Sequence, residues 1–215
     1  MKRILSIIVI AVLVTNARAQ QRYYIVQGYV PGHNDLFVVE LPSGELEYHL
    51  GLDNYESFKD TVHLVLSKEE CKEFSKALDK LYVQFARWER IAKINDVKNY
   101  VRPFDVEIPP ICFEWREYID DTFSYRVFSE RHRSTEKIHI AAYFRVFELS
   151  GNKYCTIDLK ADIPYASNSV YKFRTSIPSC GWIDSIIHRC DTRWINAKYK
   201  KLKPKPKEYY DSLFE

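Results

Sequence analysis

The clearest hydrophobic pattern in the chain is one apolar stripe over residues 67–95, which predicts a long amphipathic helix. Ser67 precedes the stripe and Glu70 follows three residues later, which is the spacing of a capping box. We therefore predict a helix that begins just after Ser67, ends near Asn95 and lays its apolar side on a sheet. The stripe positions recur every three or four residues and are Cys71, Phe74, Leu78, Leu81, Phe85, Trp88 and Ala92.

Alternating apolar and polar positions after this helix predict an antiparallel β-meander of at least four strands over residues 111–163. Three hairpins can be drawn so that one apolar face continues from strand to strand. A shift of one residue would scatter this face to both sides of the sheet, so the agreement favours the register. Its facing pairs include Trp115 with Val127, Val127 with Ala142, and Phe144 with Leu159.

Together these patterns predict an α+β fold in which the meander packs on the long helix. Strand-like runs before residue 67 predict extra N-terminal strands, residues 170–176 predict a further strand, and residues 182–199 predict a C-terminal helix. The long helix followed by a meander resembles the cystatin-like and nuclear-transport-factor-like architectures. The Gln-x-Val-x-Gly hairpin of cystatin inhibitors does not follow the helix, so the resemblance implies a scaffold without inhibitor activity.

The first nineteen residues predict a secretory signal peptide. Lys2 and Arg3 precede an apolar run over residues 4–14, and Ala17-Arg18-Ala19 supplies small residues at the positions that a signal peptidase reads. The run is shorter than the ~20 apolar residues that cross a bilayer. We therefore expect cleavage before Gln20, a periplasmic or secreted location, and no transmembrane span in the mature chain.

Removal of this segment changes the charge balance. The chain has 32 Lys+Arg and 29 Asp+Glu, and the segment holds three of the basic residues and no acidic one, which leaves 29 of each. Nucleic-acid-binding proteins carry a basic surplus, so the balance argues against nucleic acid as a partner. The remaining length suits one domain, which we place at residues 20–200, followed by a flexible tail over 201–215.

The C-terminal residues differ from the rest of the chain because lysines alternate with prolines there. Such a segment favours an extended, solvated conformation. It is either an ordinary frayed terminus or an electrostatic handle for an envelope protein, a glycan or an acidic surface. The candidate binding residues are Lys198, Lys200, Lys201, Lys203, Lys205, Lys207, Tyr209 and Tyr210.

Five cysteines leave the disulfide connectivity open. An extracytoplasmic location permits disulfides, and an odd number leaves at least one thiol free or bonded to another chain. Cys71 and Cys155 both fall on the predicted core side. They either meet as a disulfide or remain small buried hydrophobic residues.

Cys180 is the candidate nucleophile, because the N-terminus of a helix stabilises a thiolate. A cysteine hydrolase also needs a histidine base. His188 lies eight residues along the same predicted helix, ~12 Å away at 1.5 Å per residue, which is out of reach. Glu130 and His139 face each other in the predicted register and form a candidate acid–base couple, although such pairs are more often partly exposed ion pairs.

The sequence contains no metal-ligand spacing and no glycine-rich phosphate loop, so we expect no metal and no cofactor. The 16 Tyr, 12 Phe and 4 Trp fit either β-structure or a contact surface for protein or sugar. We therefore expect a secreted or periplasmic binding protein without catalysis, of unidentified partner. The alternatives are an extracytoplasmic hydrolase, thiol-dependent in one version, and a small-ligand carrier with an apolar pocket between helix and sheet.

Overall fold

The computed structural model of the chain describes residues 21–28, 34–56, 60–120, 127–128, 130–165 and 169–204. The predicted signal peptide lies outside these ranges. The helices are α1 (Lys68–Ile94), α2 (Cys180–His188) and α3 (Thr192–Leu202). The strands are β1 (Arg22–Val26), β2 (Leu36–Glu40), β3 (Leu46–Leu52), β4 (Thr61–Leu66), β5 (Tyr100–Pro103), β6 (Cys112–Arg116), β7 (Tyr118–Asp120), β8 (Val127–Phe128), β9 (His132–Arg133), β10 (Ala141–Leu149), β11 (Asn152–Tyr165) and β12 (Ser169–Ile177).

The described strands form two main antiparallel sheets, which confirms the predicted α+β class. One sheet has the order β1-β2-β3-β4-β6-β9, the other has the order β12-β11-β10-β5, and β7 pairs with β8 separately. The sheets share one hydrophobic core with the helices. Phe113 of the first sheet lies 5.2 Å from Phe173 of the second, and Phe85 of α1 lies 5.9 Å from Phe144, all between ring centroids.

Helix α1 confirms the prediction from the apolar stripe. The Ser67 hydroxyl accepts a hydrogen bond from the Glu70 amide at 3.1 Å, and the Glu70 carboxylate accepts one from the Ser67 amide at 2.6 Å. The stripe residues Phe74, Leu78 and Leu81 are fully buried. Each such side chain contributes about 1.5–3 kcal/mol by burial, so Leu81→Ala should cost about 2–5 kcal/mol of stability.

The last hairpin of the predicted meander is present with a corrected register. Strands β10 and β11 turn at Ser150 and Gly151, which have positive φ angles of 52° and 77°. Phe144 lies opposite Ile157 instead of Leu159, a shift of two residues. Because side chains alternate with a period of two, an even shift leaves the same residues facing the core.

The register predicted for the first hairpin and the strand pairing predicted for the second are wrong. The first hairpin is present at another register, in which Tyr118 of β7 lies opposite Phe128 of β8. Trp115 lies opposite Val62 and His132 rather than Val127. Strand β10 has β5 and β11 as its neighbours, and β5 takes the place of the partner strand that the second hairpin predicts. The apolar pattern specified which side of each strand faces the core. It did not specify the neighbours, because β4 and β5 come from earlier in the chain and no local signal links them to β6 and β10.

The predicted C-terminal helix is two helices separated by a break at residues 189–191. Asp191 is the N-cap of α3, and its carboxylate accepts a hydrogen bond from the Arg193 amide at 3.0 Å. Helix α3 then continues to Leu202, so Lys201, placed in the predicted tail, is helical. No helix of the described residues is long and apolar enough to cross a membrane.

Candidate functional site

The six-stranded sheet has one face on the core and an opposite face that carries buried charge. Alternation along the strands puts Phe37, His49, His63 and Glu114 on this second face, where Phe37 pairs with His49 and His63 pairs with Glu114. His49 is 1% exposed and Glu114 is 7% exposed. Ionisable side chains are rarely this buried without partners, so neighbouring charged groups are expected to stabilise His49 and Glu114 on this face.

The sheet is curled so that this face is concave. Arg22 of β1 forms an ion pair with Glu114 of β6, although these strands are four positions apart in the sheet order. In a flat sheet their backbones would lie ~19 Å apart at ~4.8 Å per strand. The guanidinium of Arg22 also lies 4.2 Å from the centroid of the Phe37 ring and covers it.

Glu114 is the centre of the charge network on the concave face. Arg131 Nε lies 3.2 Å from one of its carboxylate oxygens, and His49 Nδ1 lies 3.9 Å from the other. The opposite nitrogen of His49 lies 3.6 Å from Glu47. Glu47 in turn accepts two hydrogen bonds from Arg133, at 2.7 and 3.1 Å. The pKa of Glu47 is lowered to about 2, chiefly by His49 and further by Arg133.

A cavity of about 160 Å³ opens beside Glu114. Three guanidinium groups line it, and we call it the arginine cavity (Arg22, Arg116, Arg131 and Glu114). Its volume equals about five water molecules at ~30 Å³ each. It is smaller than the ~300–1,000 Å³ of pockets for drug-sized ligands, so it admits a small ion or one functional group of a larger molecule.

The arginine cavity has an excess of positive charge. Burial lowers the pKa of Arg131, and the neighbouring cations Arg22 and Arg116 lower it further, while Glu114 opposes the shift. Glu114 pairs with Arg22 and Arg131. Asp35 also borders the cavity, but its carboxylate accepts a hydrogen bond from the Gly28 amide at 2.5 Å.

Arg116, which lines the cavity, has a buried guanidinium nitrogen. Among the described residues nothing accepts a hydrogen bond from this Nε. Leaving a buried donor unsatisfied costs about 1–3 kcal/mol, and more when the group is charged. A carboxylate or phosphate group would remove this cost, because the planar guanidinium matches both in geometry and charge.

Cys180, the predicted nucleophile, does lie in the first turn of a helix, but its surroundings disfavour the thiolate. Burial raises the pKa of Cys180, and the carboxylates of Glu89 and Asp184 raise it further, against a hydrogen bond from Tyr82 that lowers it. None of these groups is a histidine. His188, on the same helix, packs its ring 4.6 Å from the Trp194 ring.

Glu130 and His139, the predicted acid–base couple, are both exposed. Their contact was predicted from a hairpin between residues 123–132 and 137–146. Strand β10 pairs with β5 and β11 instead, so the sheet register does not bring the two side chains face to face.

The candidate lysines divide into two groups. Lys198, Lys200 and Lys201 are exposed on α3, while Lys203 forms an ion pair with Glu40 at 2.8 Å. The same carboxylate accepts a hydrogen bond from the Tyr199 hydroxyl at 2.6 Å, and both contacts lower the pKa of Glu40. Lys203 is therefore engaged in holding α3 against β2. The remaining candidates, Lys205, Lys207, Tyr209 and Tyr210, lie outside the described residues.

All five cysteines lie in the described part of the chain and have free thiols. Cys71 lies near Cys190. It forms no disulfide with Cys155, so of the two alternatives for this pair the structure supports two separate buried thiols. Burial raises the pKa of both Cys71 and Cys190, so each thiol stays protonated and packs as a small apolar group. No group of three or more His, Cys, Asp or Glu side chains among the described residues could hold a metal ion.

The arginines of the cavity carry no sequence motif that identifies them. One available signal is the strand Cys112-Phe-Glu-Trp-Arg116, where charged residues alternate with large aromatic residues that must be buried. Comparisons of the chain with protein-family models, with curated proteins and with solved structures find no match. The geometry of the arginine cavity is therefore the basis for an assignment of function.

Proposed function

We propose that this chain is an extracytoplasmic, non-catalytic binding protein that holds an anionic group in the arginine cavity. The ligand is a small carboxylate or phosphate ion, or a larger molecule that inserts one such group. The observation that carries the proposal is the buried Nε of Arg116, which has no acceptor among the described residues. The extracytoplasmic location is supported by the signal-peptide pattern of residues 1–19.

The three arginines have different roles in this proposal. Arg22 and Arg131 are fixed in position by Glu114, so they need little reordering when the ligand arrives. Arg116 is the donor that remains available to the ligand. An anion in the cavity would therefore gain a hydrogen bond from Arg116 and the net field of three guanidiniums over the two carboxylates Glu114 and Asp35 in a partly desolvated space.

The alternative functions have less support. A carrier with an apolar pocket between helix and sheet has a candidate space, a cavity of about 380 Å³ that Trp88 and Phe144 help to line. Among the described residues that line it, that cavity has no buried polar side chain that would fix a ligand, and Phe85 and Trp115 fill the adjoining core. An extracytoplasmic hydrolase would use Cys180, whose pKa is raised by burial. A carrier of small anions would also fit the proposal, with its ligand on the concave face of the six-stranded sheet.

Titration calorimetry and thermal unfolding test the proposal on the purified chain with sodium acetate and sodium phosphate, against chloride at equal ionic strength. We expect one of the two anions to bind and to raise the melting temperature. At a concentration of 100 Kd a ligand stabilises the folded state by about 2.7 kcal/mol, which corresponds to roughly 5–10 °C for a chain of this size.

Arg116→Met is the informative variant, and Arg193→Met is its matched control, because Arg193 is 96% exposed on α3. Arg116→Met should raise the Kd at least tenfold, and Arg193→Met should leave it unchanged. The proposal fails if neither anion acts on the wild-type chain, or if Arg116→Met binds the anion as tightly as the wild type does.

A further inference from the structure

A second cleft, of about 340 Å³, opens between α2 and the outer face of the four-stranded sheet. Its walls are aromatic and come from α2, from β10 and from the segment after β3. The buried side chains of Leu52, Ile177 and Ile186 form its floor. We call it the aromatic cleft, and its other principal lining residues are Asn34, Asp53, Tyr55, Arg145, Phe147 and Trp182.

Trp182 presents a large apolar surface to this cleft. All four tryptophans lie in the described part of the chain, and Trp182 is the exposed one, at 48%. Ile186, one helical turn later, lies on the same face of α2 and is buried in the cleft floor, which fixes that helix face toward the cleft. An indole held in this way is a preformed platform for a flat apolar surface of a ligand.

The opposite wall is also held in place before any ligand binds. Phe147 stacks on Tyr154 with ring centroids 5.4 Å apart and an interplanar angle of 20°. The guanidinium of Arg145 lies 5.0 Å from the centroid of the Phe147 ring. Arg145 is further fixed by Asp158, whose carboxylate lies 3.6 Å away and is 1% exposed as a residue. A wall ordered in advance lowers the entropic cost of binding.

The charges that line the aromatic cleft are balanced. It has one acidic residue, Asp53, and one basic residue, Arg145. Arg145 is neutralised by Asp158, and Asp53 lies in the field of Arg189. Because a neighbour already compensates each of these charges, neither an anion nor a cation gains a net attraction in the cleft, and the lining favours an uncharged ligand.

The polar groups of the cleft include both donors and acceptors. The Asn34 amide donates a hydrogen bond to the Asp53 carboxylate at 3.0 Å, and Arg145 offers further donors. Hydroxyl groups donate and accept at once, so they match such a mixed set. We propose that the aromatic cleft binds a neutral saccharide, with one sugar ring packed on Trp182 and its hydroxyl groups on Asp53, Asn34 and Arg145. The volume suits a short saccharide of one or two rings.

Tryptophan fluorescence and titration calorimetry test this on the purified full chain with maltose, cellobiose, lactose and chitobiose. At least one sugar should bind with a Kd below 10 mM and change the emission in a saturable way. Trp182→Ala should raise the Kd at least tenfold. Tyr100→Ala is the matched control, because Tyr100 is 44% exposed on β5 and does not line the cleft. Near-ultraviolet circular dichroism reports whether each variant is folded.

Arg145→Met provides a second test on another element, in case Trp182→Ala does not fold, and it should raise the Kd at least fivefold. The proposal is overturned if no neutral sugar binds, if glucuronate or glucosamine binds in preference to every neutral sugar, or if the folded variants bind as the wild type does. The saccharide proposal does not depend on the arginine cavity. Trp182→Ala should bind acetate and phosphate like the wild type, so either proposal can fail without the other.

Discussion

The arginine cavity and the aromatic cleft lie on the two sides of one short backbone segment, and they differ most in charge balance. Asp35 borders the cavity and Asn34 borders the cleft. Two of the three guanidiniums in the cavity pair with Glu114, and the Nε of Arg116 has no acceptor among the described residues, whereas the cleft has one acid and one base in its lining. Both sites are polar and partly buried. The number of unpaired charges, rather than polarity, therefore separates an anion site from a site for a neutral ligand.

The two sites also differ in how they are built. The cavity is lined mainly by residues on strands of the six-stranded sheet. The ion pair between Arg22 and Glu114 helps to hold that sheet in its curled shape. The cleft is assembled from a helix, a loop and the outer face of the second sheet. We therefore expect substitutions in the cavity to change both stability and binding, and substitutions at exposed positions of the cleft to change binding alone.

The largest expected effect comes from removing the shared carboxylate of the cavity. Glu114→Gln removes the buried carboxylate that pairs with Arg22, which is 17% exposed, and with Arg131, which is 38% exposed, and this should lower the free energy of unfolding by about 2–3 kcal/mol. Urea denaturation measures this. Asp162→Asn is the control, because Asp162 pairs with Arg174 but is 61% exposed, and its loss should cost under about 1 kcal/mol. Equal effects of the two substitutions would contradict the structural role given to Glu114.

A substitution between the two sites should disturb both of them. A Cβ atom added at Gly51 would lie 2.8 Å from the backbone nitrogen of Asp35, closer than real Cβ contacts, so Gly51→Ala should displace the segment that both sites share. We expect a loss of about 1–3 kcal/mol in stability and weaker binding at each site. Gly181→Ala is the control, since its nearest atom would be 3.9 Å away. If Gly51→Ala binds the anion and the sugar as tightly as the wild type does, the segment beside Gly51 does not control the geometry of the two sites.

Acid should weaken the network around the cavity. The folded-state pKa of Glu47 is about 2, below its ordinary value of 4.5, so its contribution to stability is present above about pH 4.5 and is lost as the pH falls toward 2. The full difference in pKa would be worth about 3.4 kcal/mol, and solvent screening of this partly exposed carboxylate reduces the expected contribution to about 2 kcal/mol. Denaturation at pH 6, 4 and 2.5 should show a smaller loss of stability in Glu47→Gln than in the wild type. Parallel pH profiles would mean that Glu47 does not titrate as the structure predicts.

The smallest effect concerns cysteine chemistry. Iodoacetamide at pH 7.5 should modify Cys180 more slowly than a thiol in a short peptide, because burial raises the pKa of Cys180. Cys71 and Cys190 are buried and should stay unmodified in the folded chain. Intact-mass and peptide-mass measurements give the extent at each position, and the mature mass also tests cleavage before Gln20. Faster modification of Cys180 than of the peptide thiol would support the hypothesis of a thiol-dependent hydrolase.

The parts of the fold that the sequence predicts are those with local signals. Helix α1 follows from its apolar stripe and from the Ser67–Glu70 capping box, and the turn at Gly151 follows from the residue type. The neighbours of each strand do not follow, because β6 pairs with β4 and β10 pairs with β5, both from earlier in the chain, and no local signal indicates these long-range pairings. The N-cap of α3 was readable in principle, since Asp191 precedes Thr192 within the predicted helix.

The candidate sites were harder to predict because they depend on contacts between distant residues. Arg22 and Glu114 are 92 positions apart and meet because the sheet curls. The pattern of buried and exposed positions predicts that Glu114 faces away from the core, and nothing local indicates that this face is itself enclosed. For Cys180 the helix N-terminus was correctly located, but the burial that raises its pKa arises from packing that the sequence does not reveal.

Nuclear magnetic resonance of the Arg116 Nε–H group tests directly whether the arginine cavity binds an anion. The signal is assigned by its disappearance in Arg116→Lys. If an anion binds in the arginine cavity, this signal should shift progressively and to saturation when acetate or phosphate is added, and should not shift with chloride at equal ionic strength. A signal that stays in place with both anions, while the chain remains folded, would show that the buried donor of Arg116 is not an anion-binding group.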